Sequence, residues 1–105
     1  MLSEQKTFRA LADPTRRATL RLLREREMTI SEITERFQIT RAAVKKHLVV
    51  LKEGGLVRVE VKGRECINHL ERDAFSVVKE WVNEFEQPVE DRLGALRRSI
   101  AKEWS

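Results

Sequence analysis

The stretch TRAAVKKHLVVLKEGGL, Thr40 to Leu56, combines a start signal, an amphipathic helix with cations on its polar faces, and a paired-glycine stop. Thr40 is a good N-cap, because its hydroxyl oxygen accepts from backbone N–H groups that the first turn leaves unpaired. Ala42 and Ala43 favour continuation, and Gly54 with Gly55 marks the end. Val44, Leu48 and Leu51 are spaced by four and then three residues, so they share one face and read as the buried stripe. Arg41, Lys45, Lys46, His47 and Lys52 occupy other positions. A helix from Arg41 to Glu53 would be about 20 Å long at 1.5 Å per residue, enough to lie across a DNA major groove roughly 12 Å wide. The plainer alternative is a solvated surface helix with ordinary lysines.

Beyond Gly55 the period drops to two. Val57, Val59 and Val61 alternate with Arg58, Glu60 and Lys62, the pattern of a half-buried strand. Lys62-Gly63-Arg64 reads as a tight basic turn, and Glu65 to Leu70 as the returning strand of a hairpin. The glycine would let the backbone approach a phosphate while Lys62 and Arg64 reach the DNA backbone or an adjacent minor groove. A generic soluble turn would look the same in isolation.

Before Thr40 the punctuation is equally regular. Residues 3–11 form a short helix with Phe8 and Leu11 on one face, available to the body or to a partner chain. Asp13-Pro14 is an N-cap with proline at the first helical position, so a second helix runs from Pro14 to about Arg26, with Leu20 and Leu23 as core residues. Its arginines, Arg16, Arg17, Arg21, Arg24 and Arg26, spread round the helix and read mostly as solvated. Thr29 and Glu32 fit a capping box that opens a third helix of about two turns, ending near Phe37, with Ile30, Ile33 and Phe37 as its apolar stripe. The connection Gln38-Ile39-Thr40 is short enough for a helix-turn-helix in which the third helix braces the fourth. If that turn needs a left-handed residue, Gln38 must supply it at a cost of about 1 kcal/mol. A helix-turn-helix followed by a two-stranded hairpin is a winged helix.

The remainder is helical, with Phe75, Val78, Val82, Phe85, Val89, Leu93, Leu96, Ile100 and Trp104 spaced by three or four and Trp81 beside them. Pro88 predicts a kink or break near Gln87 with a fresh start at the proline. The stripe is too long for the core of one small domain. About ten large apolar side chains, each stabilising by roughly 1.5 to 3 kcal/mol when buried, would stay partly exposed in a monomer. A symmetric homodimer is the expected cover, joined by Phe8 and Leu11. The alternative is a tail folded back wholly on its own domain.

Length and composition agree with this layout. A chain of 105 residues fits one small domain: the recognition region 39–56, the wing 56–70 and the C-terminal dimerisation helices 72–105. With 41% hydrophobic and 36% charged residues but only 4 Gly and 2 Pro, the profile is that of a helix-rich protein. The single cysteine, Cys66, excludes an internal disulfide. No apolar run resembles a signal peptide or membrane span, so the expected place is the cytoplasm, with no membrane partner. Net charge is +4, and its distribution is informative: Thr40 to Arg64 holds seven basic residues against two acidic, Glu71 to Ser105 six against eight. Surplus positive charge thus falls on the segment expected to meet phosphate.

The motifs ALADPTRRATLRLL (Ala10 to Leu23), TRAAVKKHLVVLKEGGLV (Thr40 to Val57) and VKGRE (Val61 to Glu65) cover most of residues 8–70 and together resemble the ArsR-type winged-helix transcriptional regulators of prokaryotes. The resemblance implies a mainly helical fold with a small β-hairpin wing and a homodimer on a palindromic operator in double-stranded DNA. It also implies repression, usually of the regulator's own promoter, and it carries recognition-helix roles onto Thr40, Arg41, Ala42, Lys45, Lys46 and His47. Metal-sensing relatives bear a paired-cysteine motif in the third helix, whereas Ile30 to Phe37 has neither cysteine nor histidine. Glu71 to Ser105 has none either, and Cys66 and His69 are odd-spaced on a strand and so point to opposite faces. No metal site and no cofactor are therefore expected, and no small-molecule effector is identified.

Within the recognition helix, Arg41 and Lys45 stand where side chains reach base edges, and Arg41 is suited to a two-hydrogen-bond grip on guanine. Lys46, His47 and the Thr40 hydroxyl are better placed for phosphate, and His47 reads as a packed or phosphate-facing helix residue rather than a pH sensor. A catalytic role has no support: no Gly-rich phosphate loop, activated nucleophile or metal cluster is present. The stronger rival is a protein-interaction module that works through the apolar C-terminal helices.

Overall fold

The computed structural model describes residues 4–104, with side chains at 89–93 and 102–104 outside the described residues. The elements run α1 (Glu4–Leu11), α2 (Pro14–Glu25), β1 (Met28–Thr29), α3 (Ile30–Arg36), α4 (Arg41–Glu53), β2 (Val57–Lys62), β3 (Glu65–Leu70), a 3-10 turn (Arg72–Ala74), α5 (Phe75–Glu86) and α6 (Val89–Trp104). Mainly helical, with a small antiparallel sheet, this is the winged helix-turn-helix that the motifs imply.

Each start signal does what its chemistry dictates. The Asp13 carboxylate accepts from the Arg16 amide at 3.0 Å. Thr29 and Glu32 form a reciprocal capping box, and the Thr40 hydroxyl oxygen accepts from the Ala43 amide at 3.1 Å. At the other end of α4 the amides of Gly55 and Leu56 return to the carbonyls of Lys52 and Leu51, a Schellman closure. Gly54 is there for space. A Cβ on it would stand 2.9 Å from the Lys6 carbonyl oxygen and 3.1 Å from the Ala10 Cβ, so glycine lets α1 cross the end of α4. The Thr7 hydroxyl donates to the Gly54 carbonyl at 2.9 Å across that crossing.

The core is built where the periodicity places it. Val44, Leu48 and Leu51 of α4 meet Leu20 and Leu23 of α2 and Ile33 of α3, with Ala10, Leu56 and Val57 closing the edges. Ile30, Phe37 and Ile39 pack half-buried against this cluster. Buried polar groups are matched: among the described residues no buried side-chain nitrogen or oxygen lacks a hydrogen-bond partner.

Several expectations change. The sheet has three strands in the order β1-β3-β2, because Met28 and Thr29 pair with Asn68 and Ile67 and the buried Asn68 amide donates to the Met28 carbonyl at 3.1 Å. The turn before α4 needs no left-handed residue, so Gln38 bears no such cost; among the described residues positive φ is confined to glycines. The valine alternation of β2 is buried only at its base: Val57 is 3% exposed and Val61 71%, since the hairpin projects beyond the body. Arg16 and Arg17 are not simply solvated. Arg16 donates to the carbonyls of Ala10 and Arg9, both at 2.8 Å, and Arg17 to that of Leu11 at 2.8 Å, so the two arginines cap the end of α1.

The chain breaks at Gln87-Pro88, and α6 starts afresh at Val89. No residue of α5 is buried. The radius of gyration is 19.0 Å and the long dimension 65 Å. A compact chain of this length would have a radius of about 13 Å, so the C-terminal part of the chain reaches beyond the body, although α5 still touches α1. Of the residues expected to face a partner, Trp81 stacks edge-on against Phe8 and Phe85, at 5.6 and 5.0 Å between ring centroids, and Val82, Phe85, Leu96 and Ile100 are exposed. Leu11 and Phe75 instead pack half-buried against the core of their own chain, and Val78 is half-buried. The side chains of Val89, Leu93 and Trp104 lie outside the described residues.

Candidate nucleic-acid interface

The helix-turn-helix is formed by α3 and α4, and the wing by β2 and β3. Six residue pairs set the wing's register, from Val57 opposite Leu70 to Lys62 opposite Glu65. That pairing takes Lys62 into the strand and leaves Gly63 and Arg64 as the two turn residues. Gly63 has φ +61° and Arg64 a negative φ, as in a type II′ turn, whose twist suits the flanking strands. A Cβ on Gly63 would meet nothing, so glycine is required there by conformation rather than by crowding.

Between α4 and the wing lies an open cleft of about 360 Å³ of mixed polar and apolar lining, formed by Arg41 and Lys45 of the helix, Arg64, Glu65 and Cys66 of the wing, Thr29 of β1, and Ile30 and Ser31 of α3. Two predicted recognition-helix residues and one predicted wing residue thus share a single concavity. Arg41 is oriented within it: its Nη1 donates to the Ser31 hydroxyl at 2.6 Å. With Nη1 partly engaged, the Nε–Nη2 edge stays open for a bidentate acceptor such as guanine. Ser31 was not anticipated. It sits ten residues upstream of Arg41, and only the fold of the two helices brings them together.

The remaining predicted residues divide by environment. Ala42, Lys46 and Thr40 are exposed. Because the Thr40 oxygen is used as the cap acceptor, its O–H is left to donate outward. Lys62 is exposed, with its Nζ 4.0 Å from the Glu60 carboxylate, a loose surface pair. His69 Nε2 donates to the same carboxylate at 2.9 Å and, with Lys62 and Arg58, holds the Glu60 carboxyl below the usual range. Cys66 lies on the other face of the hairpin, toward α4.

Of the two plain roles expected of His47, packed or phosphate-facing, its position is the packed one. It is half-buried, its Nδ1 3.4 Å from Arg16 Nη1 and 3.9 Å from the Asp13 carboxylate, and so it belongs to the α1–α2 corner rather than to the exposed cations. The sequence held a signal for this: His47 is three residues from Val44 and four from Leu51, on the edge of the buried stripe. Asp13 has its carboxyl lowered chiefly by the Arg16 amide and then by the positive charge His47 and Arg16 bring. Val49 on the helix and Val61 on the wing are exposed apolar side chains.

Residues 11–60 match a family described as a helix-turn-helix domain. An uncharacterised HTH-type transcriptional regulator, YuzN of Bacillus subtilis (strain 168), is 39% identical over 83 residues, covering 71% of this chain and 90% of that protein. The transcriptional repressor SdpR of the same organism is 39% identical over 57 residues, 54% of this chain and 63% of SdpR, so the match leaves over a third of that relative uncovered. Among solved structures, an ArsR family transcriptional regulator superposes with a TM-score of 0.73 at 34% identity, over 78% of this chain and 84% of the other. Fold, motifs and relatives agree, and the chain belongs to the ArsR-type family of helix-turn-helix transcriptional regulators.

Proposed function

We propose that this chain is a homodimeric DNA-binding repressor, acting in the cytoplasm as a single winged-helix domain on a palindromic operator, its own promoter included. The observation that carries the reading is the cleft in which Arg41 and Lys45 of α4 converge with Arg64 of the wing. In this arrangement α4 enters the major groove, with Arg41 and Lys45 on base edges, while Lys46 and the Thr40 hydroxyl hold phosphates. Lys62 and Arg64 ride on the backbone or in the adjacent minor groove. Two-fold symmetry comes from the apolar face of Phe8, Trp81, Val82 and Phe85, continued by Leu96 and Ile100. Repression as the sign of regulation follows the relative SdpR, which carries that description.

The test is fluorescence anisotropy of the full chain on its own upstream DNA and on a scrambled duplex, over a salt series. Tight, selective binding that weakens steeply with salt supports the reading, since each neutralised phosphate contributes about 0.9 to the log–log slope. Weak, unselective binding to both sinks it and favours the other use of the molecule, a protein contact through α5 and α6. That second reading draws on the same exposed face, where Phe85 keeps 65% of its surface.

A further inference from the structure

At the base of the wing, six β3 residues and so about 20 Å from its tip, lies a feature that DNA contact does not use. Two adjoining clefts of about 250 and 270 Å³ share Arg24, Leu70 and Phe75. Their floor is apolar, built from Leu11 at the end of α1, Leu20 of α2, Leu70 at the end of β3 and Phe75 at the start of α5. Their rim is cationic. Arg17, Arg21 and Arg24 follow one another at spacings of four and three, hence on one side of α2, and Arg72 faces them from the turn before α5.

Glu71 is drawn off toward Arg58 at 3.9 Å, whereas Glu25 pairs with the rim's own Arg24 at 3.1 Å and Arg17 donates to the Leu11 carbonyl, so the cations left to a ligand are chiefly Arg21 and Arg72. Among the described residues, no carboxylate lies within ion-pair distance of Arg21 or Arg72. Several guanidinium groups gathered round one apolar floor call for an anion that brings its own apolar body. Inorganic phosphate would answer the cations and leave the floor wet, and a neutral alkyl chain would do the reverse.

We propose that this cleft binds an organic carboxylate with an apolar tail, of the class of a medium-chain fatty acid, and that it is the effector site of the regulator. The binding site stands on its own geometry, and the effector role rests on the DNA-binding reading. An occupant would touch Leu70, which ends the wing, and Phe75, which begins the helix leading to the exposed apolar face. It would therefore bear on both surfaces that operator binding uses.

The experiment is calorimetric titration of the full chain with decanoate, decanol and inorganic phosphate, followed by decanoate titration of the operator complex by anisotropy. Decanoate is expected to bind saturably, one per chain, with decanol and phosphate at least tenfold weaker. Arg21 and Arg72 are exposed, so the Arg21→Gln/Arg72→Gln double variant should keep its thermal midpoint while losing at least tenfold in decanoate affinity. Absence of saturable decanoate binding overturns the site, as does equal binding of decanol or phosphate, or an undiminished double variant. A double variant that loses affinity for random DNA assigns these arginines to phosphate backbone, and one that dissociates assigns them to the acidic C-terminal helices of a second copy; either result overturns the site. Decanoate that binds but leaves operator affinity unchanged removes the effector role alone. A chain that ignores its operator with and without decanoate removes the DNA-binding reading and leaves the site standing.

Discussion

The body from Thr7 to Leu70 and the C-terminal helices from Phe75 onward are both helical and both carry apolar residues at helical spacing, yet they use them differently. In the body, the stripes of α2, α3 and α4 converge, and Leu20, Ile33 and Leu51 lose nearly all contact with solvent. In α5 the same spacing buries nothing, although Trp81 and Phe85 are larger than any of those three. Amphipathicity therefore reports that a face wants covering and says nothing of what covers it. The difference lies in connectivity: short turns return α3 and α4 onto α2, whereas the break at Gln87-Pro88 leads α6 away from the body.

The largest expected effect tests the body. Ile33→Ala should cost about 2–5 kcal/mol of stability, read as a fall in the urea midpoint, because the site is fully enclosed. If the C-terminal face is an interface instead of a core, Phe85→Glu should leave the folding of the body intact. Its effect should appear in sedimentation, where loss of a central aromatic costs roughly 2–4 kcal/mol of association; a variant that stays dimeric would break the contrast. On the DNA side, Arg41→Ala should cost about 1–3 kcal/mol on the operator and relax selectivity, while Lys62→Ala should weaken all sequences alike and lower the salt slope by about 1. Equal losses on operator and random DNA from Arg41→Ala would contradict its role at base edges. Thr40→Ala should remove a cap worth about 1 kcal/mol, visible as a lower thermal midpoint.

The smallest effect is in acid. The Asp13 carboxyl is lowered chiefly by the Arg16 amide, Glu32 by the Thr29 amide and then Arg26, and Glu60 by His69. A carboxyl lowered by folding adds stability that is full above its unfolded value and lost as pH falls through the folded one. Those ordinary values lie near 4, so stability should decline below about pH 4, and Asp13→Asn should flatten that decline in thermal scans. A variant with an unchanged acid limb would remove Asp13 from the account.

Local chemistry was legible wherever a residue acts on its own neighbours. Thr40, Thr29 and Asp13 cap the helices they precede, Gly54 and Gly55 end α4, and the Val57 to Leu70 alternation gives the hairpin with its limits. What escaped depends on distant backbone. Met28 and Thr29 carry no periodicity and become a strand only because β3 arrives beside them. Arg16 and Arg17 cap α1 by reaching six residues back to carbonyls, which no side-chain pattern announces. In the site, Arg41, Lys45 and Arg64 were legible from charge and position. The Ser31 contact and the choice of the packed position for His47 required α2, α3 and α4 to be assembled first.

The crossing of α1 over Gly54 has a mechanical consequence. One end of α4 is clamped to α1 through Thr7, and the next residue of α1, Phe8, is the ring on which Trp81 rests. A single short helix is thus a strut between α4, the element proposed to enter the groove, and the apolar face proposed to meet a second copy. In a two-fold assembly made through that surface, the strut acts as a ruler: it fixes how far apart the two reading heads stand and so which spacing of half-sites they accept.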